Sequence, residues 1–232
     1  MDRLITLGLS DLHIGQAACP ISDNFFALLA QYRHQVDTLI IAGDLFDVWI
    51  GNDVVTDFQW SVADAIFQLD PQQAFFIPGN RDFLISQKFA RRAGFTVAEQ
   101  LDHQGRLWTH GDEYCLDDQP YQDWRRLCRS PEFKADFLSK PAEQRQAMAN
   151  QARETSQRQG AHTESAIADI AVRALPPCNT VHGHTHRPAI HRQDSTRVVL
   201  GDWRPDAWVW IEDDQGAALA HWNHGWDQRL AV

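Results

Sequence analysis

Six short apolar runs, each breaking off into a polar turn, limit what this chain can fold into. They read RLITLGLSDLH, DTLIIAGDLFD, QAFFIPGNRD, GRLWTHGD, CNTVHGHTH and RVVLGDW. Each suits a buried strand of about four to six residues followed by a Gly-containing turn. AWVWIED adds a further strand near the C-terminus. Segments with helical spacing lie between the first strands. In SDNFFALLAQYRHQ, Ser22 and Asp23 suit the cap of a helix whose apolar stripe is Phe25, Leu28, Leu29 and Tyr32. DFQWSVADAIFQL repeats the pattern, and LISQKFARRAG runs to Gly94, a natural residue just past a helix end. Strand–helix alternation predicts a layered α/β fold with its site at the carboxyl ends of the strands.

From about residue 113 to 173 the rhythm stops. This stretch is rich in Gln, Arg, Ala and Glu, is punctuated by Pro120, Pro131 and Pro141, and reads mostly as helix. The expectation is one domain spanning residues 1–232 with a helical insertion beside the site. No run approaches the ~20 apolar residues of a membrane span, and the N-terminus has no signal-peptide pattern, so a cytoplasmic protein is expected. The four cysteines (Cys19, Cys115, Cys128, Cys178) are scattered without CxxC spacing, which reads as reduced structural thiols. The formal net charge of −10 speaks against a general nucleic-acid binder. An anionic substrate then requires metal ions or clustered arginines to reverse the sign locally. WRRLCR, Trp124 to Arg129, is the one local basic cluster; it reads as a solvated helix face or a phosphate contact, the solvated face being preferred.

The polar turns carry the chemistry. Asp11 and His13 stand in SDLH, Asp44 and Asp47 in GDLFD, Asn80 in GNRD, His110 in HGD, and His184 and His186 in GHTH. All are oxygen or nitrogen donors, a mix that suits Mn²⁺, Fe²⁺, Co²⁺ or Zn²⁺ better than a structural zinc site. His182, His184 and His186 alternate, so an extended segment would turn all three to one face. Asp11, His13, Asp44, Asn80, His110, His184 and His186 are too many for one octahedron that keeps an open position. They suit two ions sharing one carboxylate, and such a pair ~3.5–4 Å apart clamps a phosphoryl group and activates water between them.

The series SDLH…GDLFD…GNRD…HGD…GHTH resembles the calcineurin-like metallophosphoesterase family. That resemblance covers residues 4 to about 203 apart from the insertion. It implies a four-layer α/β/β/α sandwich and a dinuclear centre, often manganese. By the family pattern, Asp11, His13, Asp44 and His186 bind one ion, and Asp44, Asn80, His110 and His184 the other. Asp47 and His182 then hold supporting positions, not ligand positions.

Arg81 is the informative departure, since many members of the wider family read GNHD at this point. A His there can protonate a leaving alkoxide; an arginine cannot near neutral pH, but it can stabilise charge on phosphoryl oxygens. A phosphate leaving group hardly needs a proton, so Arg81 argues for cleavage of a phosphoanhydride. In GDLFDVWIGND, PGNRDFLISQKFARRAG, HGDEYCLDDQPYQDWR, HGHTHRPAIH and RVVLGDW the chain is similar, nearly end to end, to the UDP-2,3-diacylglucosamine pyrophosphatases of lipid A biosynthesis. The resemblance implies attack at the α-phosphorus, release of UMP and 2,3-diacylglucosamine 1-phosphate, and a helical lid over the acyl chains. It implies substrate contacts at Asn80, Arg81, Asp118, Tyr121, Arg153, Ser156 and His184, with Asn80, Arg81 and His110 in the catalytic machinery. A lipid substrate also implies weak peripheral contact with the inner membrane. Two departures open an alternative. Gly160 and Thr163 stand where Asn and Lys are expected, and the lid stretch SPEFKADFLSKPAEQRQAMANQAR is polar, with few apolar residues to hold acyl chains. The alternative is a divergent relative acting on another nucleotide diphosphate or on a phosphodiester. A third reading, a scaffold without catalysis, conflicts with the presence of all seven ligand-type residues.

Overall fold

A computed structural model describes residues 3–85, 87–158, 169–204 and 207–232. The chain alternates as the apolar runs require: β1 (Leu4–Leu9), α1 (Pro20–Gln31), β2 (Val36–Ile41), α2 (Asp57–Leu69), β3 (Gln73–Phe76), α3 (Gln87–Ala93) and β4 (Thr96–Val97). A second group of strands follows: β5 (Leu101–His103) and β6 (Arg106–Trp108), then β7 (Thr180–His182), β8 (Ala189–Arg192) and β9 (Thr196–Val199). The described chain closes with β10 (Ala207–Asp213), β11 (Gly216–Trp222) and β12 (Trp226–Ala231).

Two mixed sheets result. The seven-stranded sheet runs β12-β11-β10-β1-β2-β3-β4, and the five-stranded sheet runs β5-β6-β7-β9-β8. In the first, β1 through β4 are parallel and β10 joins β1 antiparallel; in the second, β6, β7 and β9 are parallel. A core of Ile40, Ala42, Ile77, Trp108, Val181, Val198, Leu200, Trp210 and Leu219 draws residues from both sheets, so the sheets pack face to face. Trp108 and Trp210 meet edge-on across it, with ring centroids 5.6 Å apart. A larger cluster joins the first sheet to the stripes of α1, α2 and α3, with Phe25, Leu28, Val62, Ile66 and Phe89 fully buried. The expected α/β sandwich is therefore present.

Between the sheets' strands runs a helical segment: α4 (Gln119–Arg129), α5 (Pro131–Ser139) and α6 (Ala142–Arg158). Pro120 and Pro131 sit in the first turns of α4 and α5, where a missing N–H is harmless. The Ser130 hydroxyl accepts from Phe133 N at 3.2 Å and caps α5. α6 is pinned to the core by Arg145, which is nearly fully buried and bonds Asp53 Oδ1 at 2.8 Å and the Ile50 carbonyl. Among the described residues no helix is long and apolar enough to cross a membrane.

Three expectations need adjustment. The first helix begins at Pro20, with Cys19 as its cap residue; Ser22 stands inside the first turn, its hydroxyl accepting from Cys19 N at 2.9 Å. Proline at the first position pulls the start forward. Strands β4, β5, β8 and β12, short or polar and at sheet edges, carry too little apolar pattern to read, and β11 (GAALAHW), interior but built largely of small residues, carries no strand alternation. The apolar residues of the lid are partly committed: Phe133, Phe137 and Met148 pack on the main core. All four cysteines are free thiols, as expected.

Candidate metal centre

Each polar motif leaves the carboxyl end of a parallel strand. SDLH follows β1, GDLFD follows β2, GNRD follows β3, HGD follows β6 and GHTH follows β7. The first three leave one sheet and the last two the other. Bonds across the sheets tie them together. His110 Nδ1 donates to the Ala42 carbonyl at 2.9 Å, and His184 N donates to Asp11 Oδ2 at 2.8 Å. The loops interlock within one sheet too: Asp11 N donates to Gly43 O at 3.1 Å and His13 N to Asp44 O at 2.9 Å.

The turns are strained. Asp11, His13, Asp44, His184 and His186 all have left-handed backbone, with φ between 51° and 64°. Each costs roughly 1 kcal/mol or more and persists only where its surroundings hold it. Two glycines give the close approach. A Cβ at Gly79 would collide with the Asp44 carboxylate, 2.9 Å from its Cγ, and a Cβ at Gly183 would collide with Asp11 and lie 2.7 Å from Ser10 Cβ.

All seven ligand-type residues converge. His13 Nε2 and His186 Nε2 are 3.2 Å apart, and His186 Nε2 is 3.3 Å from Asp11 Oδ1. His13 Nδ1 is 3.8 Å from Asp44 Oδ2. On the far side of Asp44, His110 Nε2 lies 3.8 Å from Asp44 Oδ1 and 3.1 Å from Asn80 Oδ1, and His184 Nδ1 lies 3.2 Å from the same Asn80 oxygen. Asp11, His13 and His186 form one group able to hold a cation, and Asp11, Asp44 and His110 another. Asp11 Oδ1 is fully buried without a hydrogen-bond donor. A buried carboxylate oxygen in that state, facing imidazole lone pairs, fits a divalent cation.

The donor imidazoles divide in their protonation: burial opposes charge on His186, but the Asp11 carboxylate beside it outweighs burial and raises it. Burial holds His13 well below the ordinary histidine range and brings His184 down to about 3, so both are neutral donors. Burial also opposes charge on His110, but the Asp44, Asp11 and Asp112 carboxylates outweigh it and raise the group to about 9. Because His110 Nδ1–H is committed to Ala42, its Nε2 is the nitrogen left for a cation. Burial raises Asp44, and burial with the Asp44 charge raises Asp82 to about 7.

The remaining predicted residues have these positions. His182 is fully buried, donates from Nδ1 to Gly183 O at 2.9 Å and accepts from Arg197 at 3.3 Å, so both nitrogens are spent. It supports the GHTH turn and does not share the donor set of His184 and His186. Arg81 gives its backbone N–H to Asp44 Oδ1 at 2.8 Å. Asp82 is taken up by the backbone N–H groups of Gly79, Phe46 and Asp44. Tyr121 stacks on the His184 ring with centroids 5.7 Å apart, and its hydroxyl donates to Asp112 Oδ2 at 2.8 Å. Asp118 caps α4 by accepting from Tyr121 N at 3.0 Å. Gly160 and Thr163, and the side chains of Arg153 and Ser156, lie outside the described residues. Asp47 lines a cavity of about 280 Å³ between the metal loops and α6, shared with Ile14, Gln16, Val48 and Gln146.

The solvated-face reading of WRRLCR is corrected for two of its arginines. Arg125 Nε donates to the fully buried Asp112 carboxylate at 2.8 Å, and Arg129 Nη2 reaches it at 3.2 Å and the Gly79 carbonyl at 3.3 Å. Of its three arginines Arg126 alone is solvent-facing, paired with Asp123. Asp112 was quoted in HGD without a role. Its partners Tyr121, Arg125 and Arg129 fall at i, i+4 and i+8, a one-face helical spacing that could have exposed the link. Asp82, Asp202 and Arg204 were also without assigned roles.

Residues 6–188 match the family described as calcineurin-like phosphoesterase. The chain is 39% identical, over 96% of its length and 97% of the relative's, to a protein of Stenotrophomonas maltophilia named UDP-2,3-diacylglucosamine hydrolase. A protein of Chromohalobacter salexigens with the same name is 37% identical over 91% of this chain and 94% of its own. Among solved structures, a dimetal phosphatase from Danio rerio superposes with a TM-score of 0.50 at 9% identity, over 100% of this chain and 99% of that one, a likeness of fold. With the family match running from β1 through the GHTH turn and relatives aligned almost end to end, the chain belongs to the calcineurin-like phosphoesterase family.

Proposed function

We propose that this chain hydrolyses the phosphoanhydride of UDP-2,3-diacylglucosamine, giving UMP and 2,3-diacylglucosamine 1-phosphate for lipid A biosynthesis. The observation that carries the reading is the convergence of seven nitrogen and oxygen donors around Asp11 and Asp44, with Arg81 next to Asn80 in place of an acid-base histidine. Asp11, His13, Asp44 and His186 would hold one divalent cation, and Asp44, Asn80, His110 and His184 the other, Mn²⁺ being the first candidate. Two bound cations would supply Lewis acidity and an activated water. One P–O bond would form from the water oxygen to the α-phosphorus, with the proton of that water released to solvent. The bridging P–O bond breaks, and its electron pair leaves on the second phosphate without needing a proton from the protein. Asn80 and His110 fix the donor geometry, and Arg81 stabilises the charge that develops on the phosphoryl oxygens.

In this reading residues 1–232 form one domain, with a lid over about residues 113–173 carrying substrate contacts at Asp118, Tyr121, Arg153 and Ser156 beside Asn80, Arg81 and His184. The partner is the nucleotide-linked glycolipid, and the location is cytoplasmic with peripheral contact to the inner membrane. Support for an acyl-binding lid comes from exposed Leu116, Trp124, Leu127 and Leu138, a concentration of apolar surface between residues 116 and 138 that the polar composition of the lid conceals. A second reading, a divergent relative acting on another nucleotide diphosphate or phosphodiester, is favoured by the polar lining of the adjoining cavity, with Gln16, Asp47 and Gln146.

The test is UMP release by Mn²⁺-loaded protein from UDP-2,3-diacylglucosamine, beside UDP-N-acetylglucosamine and bis(4-nitrophenyl) phosphate. Rapid release from the diacylated substrate alone is expected. Turnover only of one of the others would replace this reading with the second.

A further inference from the structure

A chain with a formal net charge of −10 has to concentrate positive charge where two phosphates bind. Arg81 supplies one guanidinium. A second stands in GDWR, just after β9, a motif with no part in the scheme above. Asp202 there is only 9% exposed. Its Oδ2 accepts from Arg204 Nε at 3.0 Å and stands 3.7 Å from His186 Nδ1. At 3.7 Å the approach to His186 is too long for a hydrogen bond, so the bond of normal length goes to Arg204. One buried carboxylate oxygen thus lies between the arginine and the imidazole whose other nitrogen faces Asp11 and His13. The bond uses Nε and leaves the paired Nη donors, and the Arg204 side chain is 60% exposed at the rim of the centre. Asp202 thus ties Arg204 to the side of the centre formed by His186 and His13.

We propose that Arg204, held by Asp202, is the anion subsite for the second phosphate of a diphosphate ligand, on the His13–His186 side of the centre. The inference rests on the hydrolase reading of that site. A guanidinium offers two parallel donors matched to a phosphate, and one already fixed by a buried carboxylate loses less freedom on binding. Arg81 then serves the attacked phosphoryl group and Arg204 the departing one.

The experiment is calorimetric titration of UDP and of UMP into Mn²⁺-loaded wild type, Arg204→Ala, Arg204→Lys and Asp202→Asn, with bound metal counted first by mass spectrometry. Wild type is expected to prefer UDP over UMP. Arg204→Ala should lower that preference at least ten-fold at unchanged metal content. Arg204→Lys should recover part of it, as a point charge without the fork, and Asp202→Asn should shift it in the same direction as Arg204→Ala. No preference in wild type, equal loss for both nucleotides, or loss of metal from Arg204→Ala would overturn the subsite. Failure of the proposed reaction is read separately, as absence of UMP release by wild type.

Discussion

Asp112 is a buried carboxylate that joins α4 to the turn after β6, and replacing it by Asn isolates that link. Its side chain is fully buried and accepts from Tyr121, Arg125 and Arg129, while its carbonyl accepts from Gln122 at 2.8 Å. Asn keeps the volume and one acceptor oxygen but removes the charge. Arg125 and Arg129, with side chains 24% and 15% exposed, would then keep only the longer contacts to Glu113 at 3.7 Å and Glu99 at 3.5 Å as counter-charges. Breaking a buried pair from one side costs about 3–5 kcal/mol, and the retained oxygen places Asp112→Asn at the low end, about 3. For a chain of this length that is a fall in midpoint of roughly 6–12 °C. The sign with pH follows from the carboxyl group. Burial raises it, but Arg129, His110, His184 and Arg125 outweigh burial and hold it well below the ordinary 3.8. Its own contribution is thus complete above 3.8 and fades only as pH falls through the lower folded-state value, so the difference between wild type and variant stays level from about pH 5 to 6; above the ordinary histidine value of 6.5 it narrows, because Asp112 also helps raise His110. Urea unfolding of wild type, Asp112→Asn, Arg129→Met and the double variant supplies the measurement, because the cycle separates lost pairing from an unpaired cation. The double variant should recover 1 kcal/mol or more. A single-variant loss below about 1 kcal/mol, or no recovery in the double variant, would refute the account.

Gly79→Ala should cut bound metal at least ten-fold and also lower the melting temperature, because the added methyl would meet both the Asp44 carboxylate and the Asp44 backbone nitrogen; unchanged metal content would contradict the close approach. Asp44→Asn should abolish phosphoanhydride hydrolysis while Arg229–Asp213, on the far hairpin, stays intact; activity near wild type in a metal-verified preparation would contradict the shared-carboxylate role. Chelation should stop turnover and lower the melting temperature, and Mn²⁺ at about 100 times its Kd should restore about 2.7 kcal/mol for each site filled. The Arg229 bonds at 2.6 and 2.7 Å lower the Asp213 carboxyl group, so this pair stabilises above the ordinary 3.8 and is lost as pH falls below it. Arg229 is 34% exposed, so Asp213→Asn should cost no more than about 1 kcal/mol in urea unfolding at pH 7.

The centre was legible in the sequence because its chemistry sits at strand ends. β1, β2, β3, β6 and β7 are buried apolar runs, and the turn after each is short enough to hold its donors in a fixed position. Residues that act through helix faces were harder to see. Asp112 bonds three residues nine to seventeen positions later, and only the folded α4 brings them to it. Edge strands such as β12 (WDQRLA) expose most of their residues and carry no apolar alternation to read. The strain at Asp11, His13, Asp44, His184 and His186 was also invisible, since none is glycine and only backbone geometry reveals it. For His182, spacing alone and the family pattern point different ways, and the structure agrees with the supporting position. Spacing set it beside two donor histidines, whereas the left-handed turns at His184 and His186 break the extended geometry on which that alternation depends.

The placement of β1 has a consequence for how the chain is made. β1 lies in the interior of its sheet, parallel to β2 on one side and antiparallel to β10 on the other, pairing Thr6 with Glu212 and Gly8 with Trp210. During synthesis the β1–β4 half emerges first, and one side of β1 remains an open edge until some two hundred further residues have been translated. Contacts of such long sequence separation make folding slow and leave an apolar edge exposed meanwhile. The donors follow the same schedule, with Asp11 and His13 near one end of the chain and His184 and His186 near the other. A nascent chain therefore cannot assemble the full donor set until His186 has left the ribosome, which makes cation capture a late event in folding that still precedes the closing of β1 by β10.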